Sequence, residues 1–257
     1  MRVAFFLYIC VAMEKQYRPR LSEFEWDLIK RSRDFEKTKA TGNILVIGDI
    51  HEPFCVDGYL EFCLTQFRKY RCSEVVFIGD VIDSHYSSFH SSDPDGYGAG
   101  DELERAIDKI QEWHKFFPVA KVCIGNHDAI VRRKAFDAGI SAKWIRDYDE
   151  VLGVEGWSFK EHHKIDNVLY VHGTGTSGRN AAANKSLQFN CNVVQGHIHT
   201  EASVIYNGQY WGMQVGCGVD RKSYAMAYSK HFAKSYKLSC GVVLGKGSMP
   251  IVIPFTS

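Results

Sequence analysis

Asn43-Ile-Leu-Val-Ile-Gly-Asp-Ile-His51 is the stretch from which the fold is read. Its apolar half is a short continuous run rich in β-branched side chains, which suits a strand buried on both faces. Gly48 stops the run, and two side chains able to bind a metal, Asp49 and His51, follow at once. Two residues apart, where a strand passes into a turn, both can face one cavity.

The same unit recurs downstream. Val75-Val-Phe-Ile78 ends in Gly79-Asp80 with Asp83 close behind, and Val119-Ala-Lys-Val-Cys-Ile124 ends in Gly125, Asn126, His127 and Asp128. Helix-like segments near 57–70, 101–116 and 128–138 surround these strands. Strand, polar turn, helix, strand is the pattern of a βαβ sheet, and open α/β sheets build their sites at the carboxyl ends of neighbouring strands. From Trp157 onward short β-rich runs dominate, at 157–160, 168–171, 192–195, 202–206, 209–215, 238–244 and 250–254. His172 follows one of these runs, and His197 and His199 follow another. Two sheets packed face to face, with helices outside, accommodate both halves in a single domain.

Upstream, Val3 to Met13 is almost wholly apolar. It is too short to span a bilayer and lacks a small-x-small cleavage site, so it reads as a buried or disordered extension, with an uncleaved signal anchor as the lesser alternative. Leu21, Phe24 and Leu28 fall at helical spacing and predict a peripheral helix. The expected division is therefore an extension with a peripheral helix over 1–42 and one domain over 43–257. The chain of 257 residues is 45% hydrophobic and 24% charged, which excludes a disordered or collagen-like protein. A formal charge of +1 supplies no overall field toward phosphate backbones or anionic membranes, so no stable membrane partner is expected. Eight cysteines never form a Cys-x-x-Cys pair and mostly sit in apolar runs, which predicts reduced thiols in a cytoplasm.

The strand ends together offer carboxylates, an amide and imidazoles. These hard-to-borderline oxygen and nitrogen donors suit Mn, Fe, Zn or Ni, and the lack of cysteine argues against a structural zinc site. So many donors fit two ions. A pair about 3.5–4 Å apart clamps the attacking and leaving oxygens of a phosphoryl displacement. A histidine outside the metal shell, held by a carboxylate, then serves the leaving oxygen. A lone His-x-His or Gly-Asp means little, since either occurs in ordinary turns. Five ordered blocks, each behind an apolar run, are a far more specific signal.

Gly48-Asp-Ile-His51, Gly79-Asp-Val-Ile-Asp83, Gly125-Asn-His-Asp128, Val171-His-Gly173 and Gly196-His-Ile-His199 resemble, in order and spacing, the signature blocks of the calcineurin-like metallophosphoesterases. The resemblance covers about residues 43–200. It implies a four-layer α/β/β/α sandwich, two mixed sheets flanked by helices, with a dinuclear site on one edge. Asp49, His51 and His199 would hold one metal, Asn126, His172 and His197 the other, and Asp80 would bridge them. His127 would be the catalytic histidine at the leaving group, oriented by Asp83. The implied reaction is hydrolysis of a phosphate mono- or diester by a metal-bridging hydroxide. A looser likeness to compact phage-encoded members rests on brevity and the Gly-Asn-His-Asp helix entry.

Substrate choice has weaker signals. The stretch 84–100 reads as a long loop of small, turn-forming and aromatic residues at the cavity rim. His85 at its head is a candidate substrate contact, although His85, His90, His114, His162, His163 and His231 otherwise read as surface histidines. Ser84 stands where protein serine/threonine phosphatases of the family have an arginine, which weakens a protein-phosphatase reading. In the loop 174–180, Arg179 could approach a phosphate through its guanidinium fork. Over 221–237, Tyr224, Tyr228, Phe232 and Tyr236 recur every four residues among basic side chains. Such a stripe is either core packing or a stacking surface for a nucleotide or single-stranded nucleic acid. Close spacing of the blocks leaves little room for a cap, which favours a phosphodiesterase or nuclease. The alternatives are a small-molecule or protein phosphomonoesterase and a non-catalytic metal-binding scaffold.

Overall fold

Strand β1 (Ile44–Ile47) is buried along its whole length, and its alternate side chains serve two different cores. The structure, a computed structural model, describes residues 42–88, 93, 95–223 and 235–256. All of these belong to the unit Ala40–Ser257. The expected helix near 21–30, the apolar run at 3–13 and the part of the aromatic stripe over 224–234 lie outside the described residues.

Strand β1 lies in a six-stranded sheet with β2 (Glu74–Phe77), β3 (Ala120–Cys123), β4 (Trp157–Lys160), β10 (Ser239–Leu244) and β11 (Met249–Pro254). Their order is β11-β10-β1-β2-β3-β4, parallel from β1 to β4 and antiparallel through β10 and β11. A second sheet runs β5 (His162–Ile165), β6 (Val168–Val171), β7 (Asn192–Gln195), β9 (Tyr210–Gln214) and β8 (Ser203–Asn207), and is also mixed.

The period-two alternation of strand side chains explains the layering. Leu45, Ile47, Val75 and Phe77 meet Tyr59, Ala106, Ile110 and Leu152 of the helices α1 (Tyr59–Lys69), α2 (Ala99–Phe116) and α4 (Tyr148–Leu152). Ile44, Val46, Val76 and Ile78 point the other way, onto Val168, Tyr170, Val194 and Met213 of the second sheet. The outer face of that sheet carries α5 (Ala181–Phe189), and Gly212 makes this approach possible because a Cβ there would overlap the Ala182 and Ala183 backbone. These contacts make the four-layer sandwich that the sequence resemblance implied. The remaining helix, α3 (Ile130–Asp137), leaves the sheet edge directly after Asp128.

Several expectations need correction. The 84–100 stretch is not all loop: a 3₁₀ turn spans His85–Ser87, and α2 begins at Ala99. His85 and His163 are buried rather than on the surface, and the His163 ring shares a 3.1 Å hydrogen bond with the Val122 carbonyl across the two sheets. Strand β5 and helices α4 and α5 have no counterpart among the expected runs. The described cysteines are all free thiols. Among the described residues, no helix is long and apolar enough to cross a membrane.

Candidate metal centre

The carboxyl ends of β1, β2, β3, β6 and β7 meet at one edge of the sandwich, and the donor side chains sit immediately after them. Close approach there is bought by glycine. A Cβ on Gly125 would overlap the Asp80 carboxylate, and one on Gly196 would overlap Asp49 Oδ1. Three donor-bearing residues adopt left-handed backbone, His51 at φ 47°, Asp80 at φ 47° and His197 at φ 71°. That conformation is costly for a residue with a Cβ and here aims side chains inward.

Asp49, His51 and His199 each present a ligand atom within 4.8 Å of the others, and so do Asp80, His172 and His197. Asn126 joins the second group, its Oδ1 lying 3.1 Å from His172 Nε2. His51 Nε2 also lies 3.6 Å from Asp80 Oδ2, so Asp80 stands between the groups. Support from behind selects which ring nitrogen faces the cavity. His172 Nδ1 lies 3.1 Å from the Ile78 carbonyl, and His51 Nδ1 lies 2.6 Å from Asp83 Oδ1. Donation at Nδ1 leaves the Nε2 lone pairs turned toward the centre, as metal-binding histidines require. Backbone amides complete the cradle: His127 N donates to Asp80 Oδ1 and His197 N to Asp49 Oδ2, both at 2.8 Å.

Electrostatics agree with the geometry. Burial works against charge on Asp80, yet His172, His127 and His51 hold its carboxyl well below the usual range. Burial likewise opposes the His172 cation, but Asp80 and Asp49 outweigh it and raise that group to about 9. Burial and the neighbouring His127 lower His51 instead, against the pull of Asp83. Asp49 Oδ1 is buried and makes no hydrogen bond. A buried carboxylate oxygen without a donor is unfavourable unless a cation meets it. The donor set, carboxylates with imidazoles and an amide, therefore fits divalent metal ions.

His127 also brings a ring nitrogen within 4.8 Å of ligand atoms on His51 and Asp80, but its own support differs from theirs. Its Nδ1 lies 2.6 Å from the Asp83 carbonyl oxygen and 3.4 Å from Asp83 Oδ1, and its side chain keeps 20% exposure. Asp83 thus orients His127 chiefly through its backbone, while its carboxylate serves His51. Burial lowers the His127 cation, but Asp80 and Asp83 outweigh it and shift the ring upward.

All nine expected metal and catalytic side chains converge. The two expected substrate contacts do not join them. Arg179 is 76% exposed and pairs with Glu201 at 3.5 Å. His85 is buried, its Nδ1 4.0 Å from Asp83 Oδ2. Three buried carboxyls were missed as supports. Asp128 accepts from the backbone amides of Gly125, Val81 and Ile82, at 2.8, 3.0 and 3.2 Å, and joins the second and third blocks. Glu102 accepts from the amides of His85 and Tyr86 at 2.6 and 3.3 Å, and Glu52 accepts from Trp113 Nε1 at 2.8 Å. For Glu102 a signal existed: its spacing with Ala106, Ile110 and Trp113 sets it on the buried stripe of α2.

A two-sheet sandwich whose strand ends converge on buried carboxylate and imidazole donors defines an α/β protein with a candidate metal site. The chain belongs to the calcineurin-like phosphoesterase family, whose model matches residues 42–217. No curated protein matches the chain in sequence. Among solved structures, vacuolar protein sorting 29 from Cryptosporidium parvum is similar at 13% identity, covering 84% of this chain and 98% of that one, with a TM-score of 0.44. Vps29 from Entamoeba histolytica complexed with Zn²⁺ is similar at 16% identity, over 82% and 89% of the two chains, with a TM-score of 0.43. Yfce, a phosphoesterase from E. coli, is similar at 14% identity, over 78% and 87%, with a TM-score of 0.39.

Proposed function

We propose that the chain is a phosphoesterase that hydrolyses a phosphate diester, or a monoester in the second place, with two divalent ions drawn from Mn, Fe, Zn or Ni. The observation that carries this reading is the pairing of two donor groups, Asp49 with His51 and His199, and Asp80 with His172 and His197. Divalent ions held there would acidify water and draw charge from the phosphoryl oxygens. His127, fixed through Nδ1 by the Asp83 carbonyl, would donate a proton from its other ring nitrogen to the leaving oxygen. Asp83 and Ile78 hold His51 and His172 in the binding tautomer. Close spacing of the blocks supports an open site, and with it a diester, a nucleotide or a nucleic acid as substrate. The free thiols support a reducing, cytoplasmic setting.

The test is Mn-dependent hydrolysis of bis-p-nitrophenyl phosphate against p-nitrophenyl phosphate, with His127→Ala as control. Turnover of the diester, lost in the variant, is expected. Turnover of the monoester alone makes the protein a phosphatase. Turnover of neither, with metal bound, overturns the enzymatic reading in favour of a scaffold.

A further inference from the structure

A cavity of about 310 Å³ lies between α2, α3, α4 and the loop 82–87. None of the seven metal donors lines it. Its wall is mainly apolar, with Ile82, Leu103, Ala106, Val131, Ile145 and Leu152 facing the space. Glu52, Glu102 and Asp128 also lie in the wall, but each is engaged by the N–H donors described above. At the mouth stand two guanidinium groups, Arg132 and Arg146. Arg132 is committed: it donates to Asp147 Oδ1 and to the Arg146 carbonyl, both at 3.0 Å, and lies 4.6 Å over the Tyr148 ring. Arg146 is exposed and makes no ion pair among the described residues.

Tyr86, Leu103 and Val131 remain 54%, 37% and 50% exposed at this mouth. Protein interiors close over spaces of this kind when nothing else fills them, and small-molecule sites begin at about 300 Å³. We propose that this cavity is a second binding site, for a small molecule with an aromatic or branched aliphatic body and one anionic end. The body lies against Ile82, Leu103 and Val131, and the anion meets Arg146. The volume limits the body to about one ring. The site is coupled to the metal centre through a shared wall. Ile82 and Ser84 flank Asp83, and Asp128 follows His127, so an occupant bears on the turns that orient both the ligand His51 and the proton donor. Coupling of this kind is reciprocal, with metal and ligand altering each other's affinity by one factor.

The test is calorimetric titration of the full chain, metal-free and Mn-loaded, with 4-phenylbutyrate, 4-phenylbutanol and 4-phenylbutylamine. The carboxylate should saturate and bind about tenfold more tightly than the alcohol or the amine. Arg146→Ala should remove that preference, and Val131→Trp, a change at a half-exposed position, should abolish binding. Leu103→Trp repeats the block from α2, and circular dichroism checks that both variants fold. Saturating 4-phenylbutyrate should shift Mn affinity severalfold. Failure of all three probes to saturate, equal affinity for amine and carboxylate, or binding that survives both tryptophan variants overturns the site. An unchanged Mn affinity overturns the coupling. Hydrolytic activity enters none of these readouts, so the proposed enzymatic function and this second site stand or fall separately.

Discussion

Asp83 performs two tasks with two different groups, its carboxylate on His51 and its carbonyl oxygen on His127. The tasks separate by mutation. Asp83→Ala removes the first and keeps the carbonyl contact of the second, losing only the longer 3.4 Å carboxylate contact to His127, so Mn affinity should fall about 10- to 100-fold in a calorimetric titration, with most activity returning at saturating metal. His127→Ala should take up metal normally by elemental analysis while kcat drops about 10²- to 10⁴-fold. At this scale the donors were legible because each sits within a few residues of the strand that carries it. The division of labour within Asp83 was not, since it depends on ring nitrogens brought from positions 51 and 127. His85 illustrates the same limit: as a residue type it reads as polar surface, and only the packing of α2 against the loop buries it.

At the scale of elements, the strands other than β5 were legible from short β-rich runs, and the helices α1 to α3 as helix-like segments between them. Helix α5 was not, because Ala181–Phe189 is poor in large apolar residues and is held by close backbone approach to the sheet. Gly212 is what permits that approach. Gly212→Ala should therefore lower stability by about 1–3 kcal/mol in urea titration. Two buried carboxyls, Glu52 after β1 and Glu102 on α2, add a pH effect. Burial raises Glu52 and Glu102 to about 7, from an ordinary value of 4.5. The folded chain thus holds these protons more tightly than the unfolded one. Their contribution is complete below about pH 4.5 and is lost as pH rises through about 7. Unfolding free energy of Mn-saturated protein should decline from about pH 5 to pH 8, and Glu52→Gln should flatten the decline.

At the scale of the whole domain, the candidate metal centre joins strand ends of both sheets, so cation binding and folding are linked. At a free Mn concentration about 100 times its Kd, the folded state should gain about 2.7 kcal/mol for each ion bound, read as a higher melting temperature that chelation reverses. The sandwich itself was legible mainly through the five blocks and their resemblance. Strand patterns alone specify two buried sheets but not their order, which arises from pairings such as β1 with β10, remote in sequence. The left-handed turns at His51, Asp80 and His197 carry a consequence for evolution in the laboratory. A lineage screened for heat endurance alone should accumulate glycine or asparagine at 51, 80 and 197, gaining robustness as it discards the very side chains that grip the cations.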